Sequence, residues 1–344
     1  MAGSGVSPEI PVDVSLRPIS VKLVYPQKAA ERDRWVLAQR SERTAVSERE
    51  PYAYFVEEEC GADRRVEPVA TIFLSNRECP FRCVMCDLWR NTLLKTVSTG
   101  AIPAQIDFGL RRLEAARTVK LYNSGSFFDP RAIPPADYTA IASLVRNYDR
   151  VIVECHPAFL GERCLTFRDL LAGRLEVAMG LETAHSGVLE KLNKRMTLEQ
   201  FAAGADFLSR SDIDLRAFIL VQPPFMKAEE SLHWAKRSLD FAFECRAKVA
   251  TLIPTRGRNG AMETLADAGL FVTPELRKLE ASAEYGVGLQ RGRVFADLWD
   301  VQRDGECMHC FDARVQRMRE MNLRQTLPPA LHCDACSRQS AEAS

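Results

Sequence analysis

The sequence carries no net charge: Lys plus Arg and Asp plus Glu each total 46 in 344 residues, and the pI is near 7. A global electrostatic pull toward nucleic acid is therefore absent, and a local basic groove is the remaining electrostatic route to such a partner. No apolar run approaches the ~20 residues that span a bilayer. Met1 to Pro8 also lacks the charged-then-apolar pattern of a secretory signal. The expectation is a cytoplasmic chain with no membrane partner. Histidine is scarce, 5 in all, and His156, His185 and His233 stand singly, so each reads as a core or surface residue rather than a catalyst. What is present is 46% hydrophobic content, enough for a sizeable core.

Cysteine is plentiful, and its spacing is informative. Of 11 cysteines, Cys60, Cys155, Cys164 and Cys245 are scattered and read as small core residues. The other seven form two clusters with metal-ligand spacing, the usage of a reducing compartment. Cys79-Pro-Phe-Arg-Cys83-Val-Met-Cys86 follows the apolar run Val69 to Leu74, which places three thiols on a loop leaving a strand. Three thiolates on a four-iron cube leave one iron open to bind something else. A structural zinc knuckle is the alternative, but zinc takes a fourth protein ligand and the flanking sequence offers none. The second cluster pairs Cys307-Met-His-Cys310 with Cys333-Asp-Ala-Cys336, four soft ligands for a tetrahedral site. A zinc staple and an auxiliary 4Fe-4S cluster both fit it.

Between the clusters, short β-branched runs alternate with amphipathic stretches. Candidate strands are Ala70 to Leu74, Val119 to Tyr122, Val151 to Glu154, Leu175 to Met179, Leu215 to Val221 and Val249 to Ile253. Candidate helices are Pro103 to Ala116, Pro135 to Tyr148, Thr166 to Leu171, Leu198 to Ser209, Glu229 to Cys245 and Pro274 to Tyr285, with a leader helix at Ala29 to Arg43. Thr197, followed by Glu199, reads as a helix cap. The alternation predicts an α/β protein with a parallel sheet; spacing alone permits a barrel or a doubly wound sheet. The expected organisation is an extension over residues 1–65, a barrel over 66–290 and a four-cysteine segment over 291–344.

Polar residues gather where strands end. Asn123, Ser124, Gly125 and Ser126 follow the second candidate strand, and Gly125 admits close backbone approach. Glu154 closes the third strand, where a carboxylate is expensive to bury without a partner and is expected at the barrel mouth. Glu182 closes the fourth, within salt-bridge reach of Lys194 or Arg195. Arg256 and Arg258 beside glycines form a candidate anion site or a solvated loop. Arg314, Arg317, Arg319 and Arg324 form a basic helix that either reads phosphate or is the exposed side of a packed element.

The triplet, together with Leu121-Tyr-Asn-Ser-Gly-Ser-Phe-Phe-Asp129, Gly180-Leu-Glu-Thr183, Asn193-Lys-Arg and Pro223-Pro-Phe225, resembles the radical S-adenosylmethionine (SAM) superfamily. The likeness is to the branch holding the archaeosine-synthase radical SAM partner and the radical SAM domain of the Elongator catalytic subunit, and it spans about residues 69 to 275. It implies a partial (β/α)6 TIM-type barrel with a small C-terminal four-cysteine metal-binding extension. It further implies that Cys79, Cys83 and Cys86 hold a 4Fe-4S cluster whose open iron chelates SAM, which is cleaved reductively to a 5′-deoxyadenosyl radical that abstracts hydrogen from a substrate. Met85, Asn123, Ser124, Gly125, Ser126, Glu154, Glu182 and Arg216 are the SAM-binding residues it suggests. Arg216 could grip the SAM carboxylate bidentately or sit in a barrel-interior ion pair. Asn and Ser stand at 123–126 where many relatives carry glycines and a glutamate, and Met85 stands where relatives often carry an aromatic. A reductase, flavodoxin or ferredoxin is the implied electron donor, and a modified tRNA nucleoside the leading substrate. Peptide or natural-product modification with an auxiliary cluster, and a non-catalytic metal scaffold, are the alternatives.

Overall fold

The computed structural model describes residues 25–301, 303 and 305–336, so the readings made on the first residues of the N-terminal tail lie outside the described part. Eight strands form one sheet whose spatial order is the sequence order. They are β1 (Ala53–Cys60), β2 (Val66–Phe73), β3 (Thr118–Tyr122), β4 (Arg150–Glu154), β5 (Arg174–Glu182), β6 (Asp214–Val221), β7 (Val249–Pro254) and β8 (Arg293–Ala296). β1 pairs antiparallel with β2, and every later pair is parallel. The strand order never reverses, as it would in a doubly wound sheet, so the sheet curls into a partial barrel. The six candidate strands correspond to β2 through β7.

Two strands were not legible. β1 reads Ala-Tyr-Phe-Val-Glu-Glu-Glu-Cys, and its acidic run hides the strand pattern because those carboxylates find partners inside the barrel. β8 is four residues long and has little periodicity to show. The sheet thus runs from residue 53 to residue 296, across both domain boundaries expected from the sequence.

The helices are α1 (Ala29–Ala38), α2 (Ala101–Leu110), α3 (Tyr138–Leu144), α4 (Glu162–Leu170), α5 (Ser186–Lys191), α6 (Leu198–Arg210), α7 (Ser231–Glu244), α8 (Ala261–Asp267), α9 (Leu276–Gly288) and α10 (Phe311–Arg324). Thr197 caps α6 through a reciprocal box, but with Gln200 rather than Glu199, because Gln200 holds the third helical position. Outward-facing strand residues such as Ile72, Leu121, Val153, Val177 and Met179 are fully buried in the main core under the helices.

Inside the barrel the alternate residues are polar at the bottom and aromatic in the middle. Lys120 bonds Glu57 and Glu59, Arg216 bonds Glu176 at 2.7 Å and Glu59 at 3.4 Å, and Arg150 bridges Glu176 and Asp214. Above them Phe55, Phe73, Tyr122 and Phe218 meet in successive ring contacts of 5.9 to 6.2 Å. The C-terminal strand ends above this aromatic layer carry the candidate site.

Candidate active site

The cysteine loop leaves β2 and is pinned from four directions. Asn193 donates from Nδ2 to the carbonyl of Arg82 at 2.8 Å, and the Val84 amide donates to the Leu192 carbonyl at 3.0 Å. Asn259 donates to the carbonyls of Val84 and Cys86, while its Oδ1 accepts from the Met262 amide at the start of α8. Glu78, one residue before Cys79, is held by Arg40, Arg43 and Arg82. Burial would raise that carboxyl, but the bonds from Arg40 and Arg43 prevail and hold it below the usual carboxylate range. The loop is therefore clamped through its backbone and flanks, while its thiols remain available.

Burial pushes all three thiols up, Cys79 to about 11 and Cys83 and Cys86 to about 12. A cationic group would be needed to hold them as thiolates, which is what a bound metal cluster supplies. Lys194 contributes one positive charge. Its ammonium lies 2.6 Å from Glu182 and, although burial works against the charge, the pair with Glu182 and the field of Cys83 raise its pKa.

The loop after β3 lies against the triplet: a Cβ on Gly125 would stand 3.4 Å from the Cys79 Cβ. Asn123 is fully buried, yet neither of its side-chain amide atoms has a partner, and the Oδ1 atoms of Asn76 and Asn193 are also unpaired. Orphaned buried polar atoms call for an explanation, and three asparagines around one cysteine loop fit a polar group that belongs there. Ser124 adopts φ +52 and shares a 3.1 Å hydrogen bond with Tyr52. Ser126 accepts from the His156 amide at 3.0 Å, a bond that joins the β3 and β4 loops.

Glu154 is partly buried at the end of β4. Desolvation raises its carboxyl to about 7, and the Asn123 amide donates to it at 3.1 Å. His156 stacks on Phe81 of the cysteine loop at 4.0 Å. Its Nδ1 accepts from the Ala158 amide, so Nε2 carries the proton and donates to the Lys194 carbonyl at 3.1 Å. Burial and the nearby Lys194 lower its pKa to about 3, which keeps the ring neutral. At the end of β5 a register shift between Gly180 and Glu182, with φ +65 at Glu182, turns that carboxylate toward Lys194.

The structure brings Cys79, Cys83, Cys86, Asn123, Ser124, Gly125, Ser126, Glu154 and Glu182 to one end of the barrel. Arg216 departs from its expected role as a SAM-carboxylate grip. It sits early in β6, and its guanidinium is committed to Glu176 and Glu59. Met85 packs with the apolar cluster of Val84, Leu192 and Met262. Arg256 and Arg258 are paired with Asp297 and Asp300 rather than forming an anion site. Arg314 and Arg317 turn inward to Glu280 of α9, so the basic helix is a packed element. Sequence reasoning placed Lys194 either in a turn that the resemblance sets near the adenosyl group or in a salt bridge with Glu182, and it missed Asn259 as a support of the loop.

A second set lies at the C-terminus. The sulfurs of Cys307, Cys310, Cys333 and Cys336 all fall within 4.8 Å of one another, the only such metal-ligand group among the described residues. Cys307 and Cys310 precede α10, and Cys333 and Cys336 follow it. Arg314 donates to the Cys310 sulfur at 3.2 Å. These four residues could hold a metal.

The described fold is a partial barrel with a three-cysteine loop at the C-terminal ends of its strands. Among sequence relatives, an uncharacterized protein of Methanocaldococcus jannaschii is 22% identical over 235 residues, 64% of each chain. The archaeosine synthase subunit beta of Thermococcus kodakarensis is 23% identical over 166 residues, 46% of this chain and 51% of the relative. Among solved structures, the Elp3 protein of Methanocaldococcus infernus aligns at a TM-score of 0.46 and 13% identity, covering 65% of this chain and 59% of that one. This chain thus spans less than two thirds of each. No family model matches it. No described helix is long and apolar enough to cross a membrane.

Proposed function

We propose that this chain is a radical SAM enzyme with its active centre at the C-terminal strand ends. The observation that carries the reading is the fully buried Asn123, with both amide atoms unpartnered, on a loop that touches Cys79 through Gly125. Cys79, Cys83 and Cys86 would hold a 4Fe-4S cluster, and Asn123 to Ser126, Glu154 and Glu182 would hold SAM beside it. When bound, the pair supplies reductive cleavage of SAM to a 5′-deoxyadenosyl radical, chemistry no side chain provides. The chain supplies placement and protection. The Asn193 and Asn259 bonds fix the cysteine loop, the Lys194 ammonium offsets thiolate charge, and the aromatic layer beneath keeps water from the reacting end.

A modified tRNA nucleoside or a related small metabolite is the substrate we favour, supported by the resemblance to archaeosine synthase subunit beta. An electron donor of the reductase, flavodoxin or ferredoxin type and a cytoplasmic location complete the reading. The test is anaerobic reconstitution followed by reduction with SAM. Wild type is expected to release 5′-deoxyadenosine and to bind about four irons at the triplet, whereas Cys83→Ala loses both. A wild-type protein that takes up no iron and cleaves no SAM would leave the non-catalytic scaffold in its place.

A further inference from the structure

The sulfurs of the four C-terminal cysteines approach one another closely. Cys307 and Cys333 are 3.8 Å apart, and Cys310 and Cys336 are 3.6 Å apart. A zinc ion with bonds of about 2.3 Å sets a tetrahedral S–S edge of about 3.8 Å. A four-iron cube places each thiolate on a different iron and spreads the sulfurs to roughly 6 Å, wider than this set allows. The surroundings match a compact dianionic centre, with the Arg314 guanidinium on one sulfur and itself held by Glu280.

The same segment covers the open edge of the sheet. The outward backbone groups of β8 would pair with a ninth strand, but two side-chain amides take them instead. Gln325 accepts from the Val294 amide at 2.7 Å and donates to its carbonyl at 2.9 Å. Asn322 does the same for Ala296, at 2.8 Å in both directions. Both lie at the C-terminal end of α10, a helix with one cysteine pair before it and the other after it. Gln325 is buried and held at φ +51, so its amide depends on how the helix end is fixed.

We propose that Cys307, Cys310, Cys333 and Cys336 bind one zinc ion, and that this ion locks α10 over the edge of β8, closing the side of the barrel between β8 and β1. The inference is independent of the chemistry assigned to the triplet. Metal analysis of the anaerobically purified full chain should give about one zinc, and absorption at the zinc edge four sulfurs at about 2.3 Å. Cys333→Ser should lose the zinc and speed hydrogen exchange of the Val294 and Ala296 amides about tenfold or more, with the iron at Cys79, Cys83 and Cys86 retained. If that variant does not fold, wild type stripped with a zinc chelator gives the same exchange comparison. About eight irons without zinc, or a single iron in place of zinc, would overturn the metal assignment. Unchanged protection of Val294 and Ala296 after zinc loss would overturn the lock.

Discussion

Glu154 is a carboxyl whose proton depends on where β4 ends. Its pKa is raised by burial from 4.5 to about 7, so between those values the folded chain keeps a proton that the unfolded chain has lost. Stability contributed at this residue therefore falls as pH rises through that window. Glu154→Gln should gain on wild type between pH 5 and pH 8 by up to about 3 kcal/mol in urea unfolding of the cluster-free protein. Parallel pH profiles for the two proteins would show that the carboxyl is not desolvated. His156 works in the opposite direction: its pKa is lowered to about 3, so its contribution is lost as pH falls below the ordinary histidine value of 6.5. Below about pH 6.5 the two partly cancel in wild type, which is why the comparison with Glu154→Gln is needed. At this scale the triplet was legible because its chemistry lies in eight consecutive residues. Asn259 was not, because it supports Val84 and Cys86 from more than 170 positions away.

At the scale of the element, the end of β5 shows how a strand aims a charge. A Cβ on Gly180 would stand 2.1 Å from Glu182 Oε1 and 2.5 Å from Lys194 Nζ. Both are tips of flexible side chains, so Gly180→Ala should fold and displace the ion pair instead. The expected result is a far-ultraviolet spectrum like wild type and a SAM dissociation constant about tenfold higher, a change of about 1.4 kcal/mol. Unaltered affinity would remove Glu182 and Lys194 from the proposed SAM site. The strands under helices were legible as apolar β-branched runs because one face of each is dry. β1 was not, since its acidic residues are paired by Lys120 of β3 and Arg216 of β6, which local periodicity cannot reveal.

Across the whole molecule, the charged layer at the barrel bottom ties β1, β3, β4, β5, β6 and β8 together. Arg216 is central to it, and Arg216→Met would leave the fully buried Glu176 with only Arg150 at 3.1 Å and Arg293 at 3.7 Å to offset its charge. A loss of about 1–3 kcal/mol is expected in denaturant unfolding. SAM affinity measured on the folded fraction should stay unchanged; weaker binding with intact stability would return Arg216 to the cofactor. The sheet order also bears on how the chain comes off the ribosome. Each strand emerges after the neighbour it will pair with, so the sheet can grow by addition at one edge throughout synthesis. That growing edge stays an open hydrogen-bonding template at every stage, and β8 is the last to present it. The nascent barrel is thus most prone to pairing with another chain just before Asn322 and Gln325 are made, and the segment that carries them, proposed above to bind zinc, acts as the chain's own terminator of strand addition.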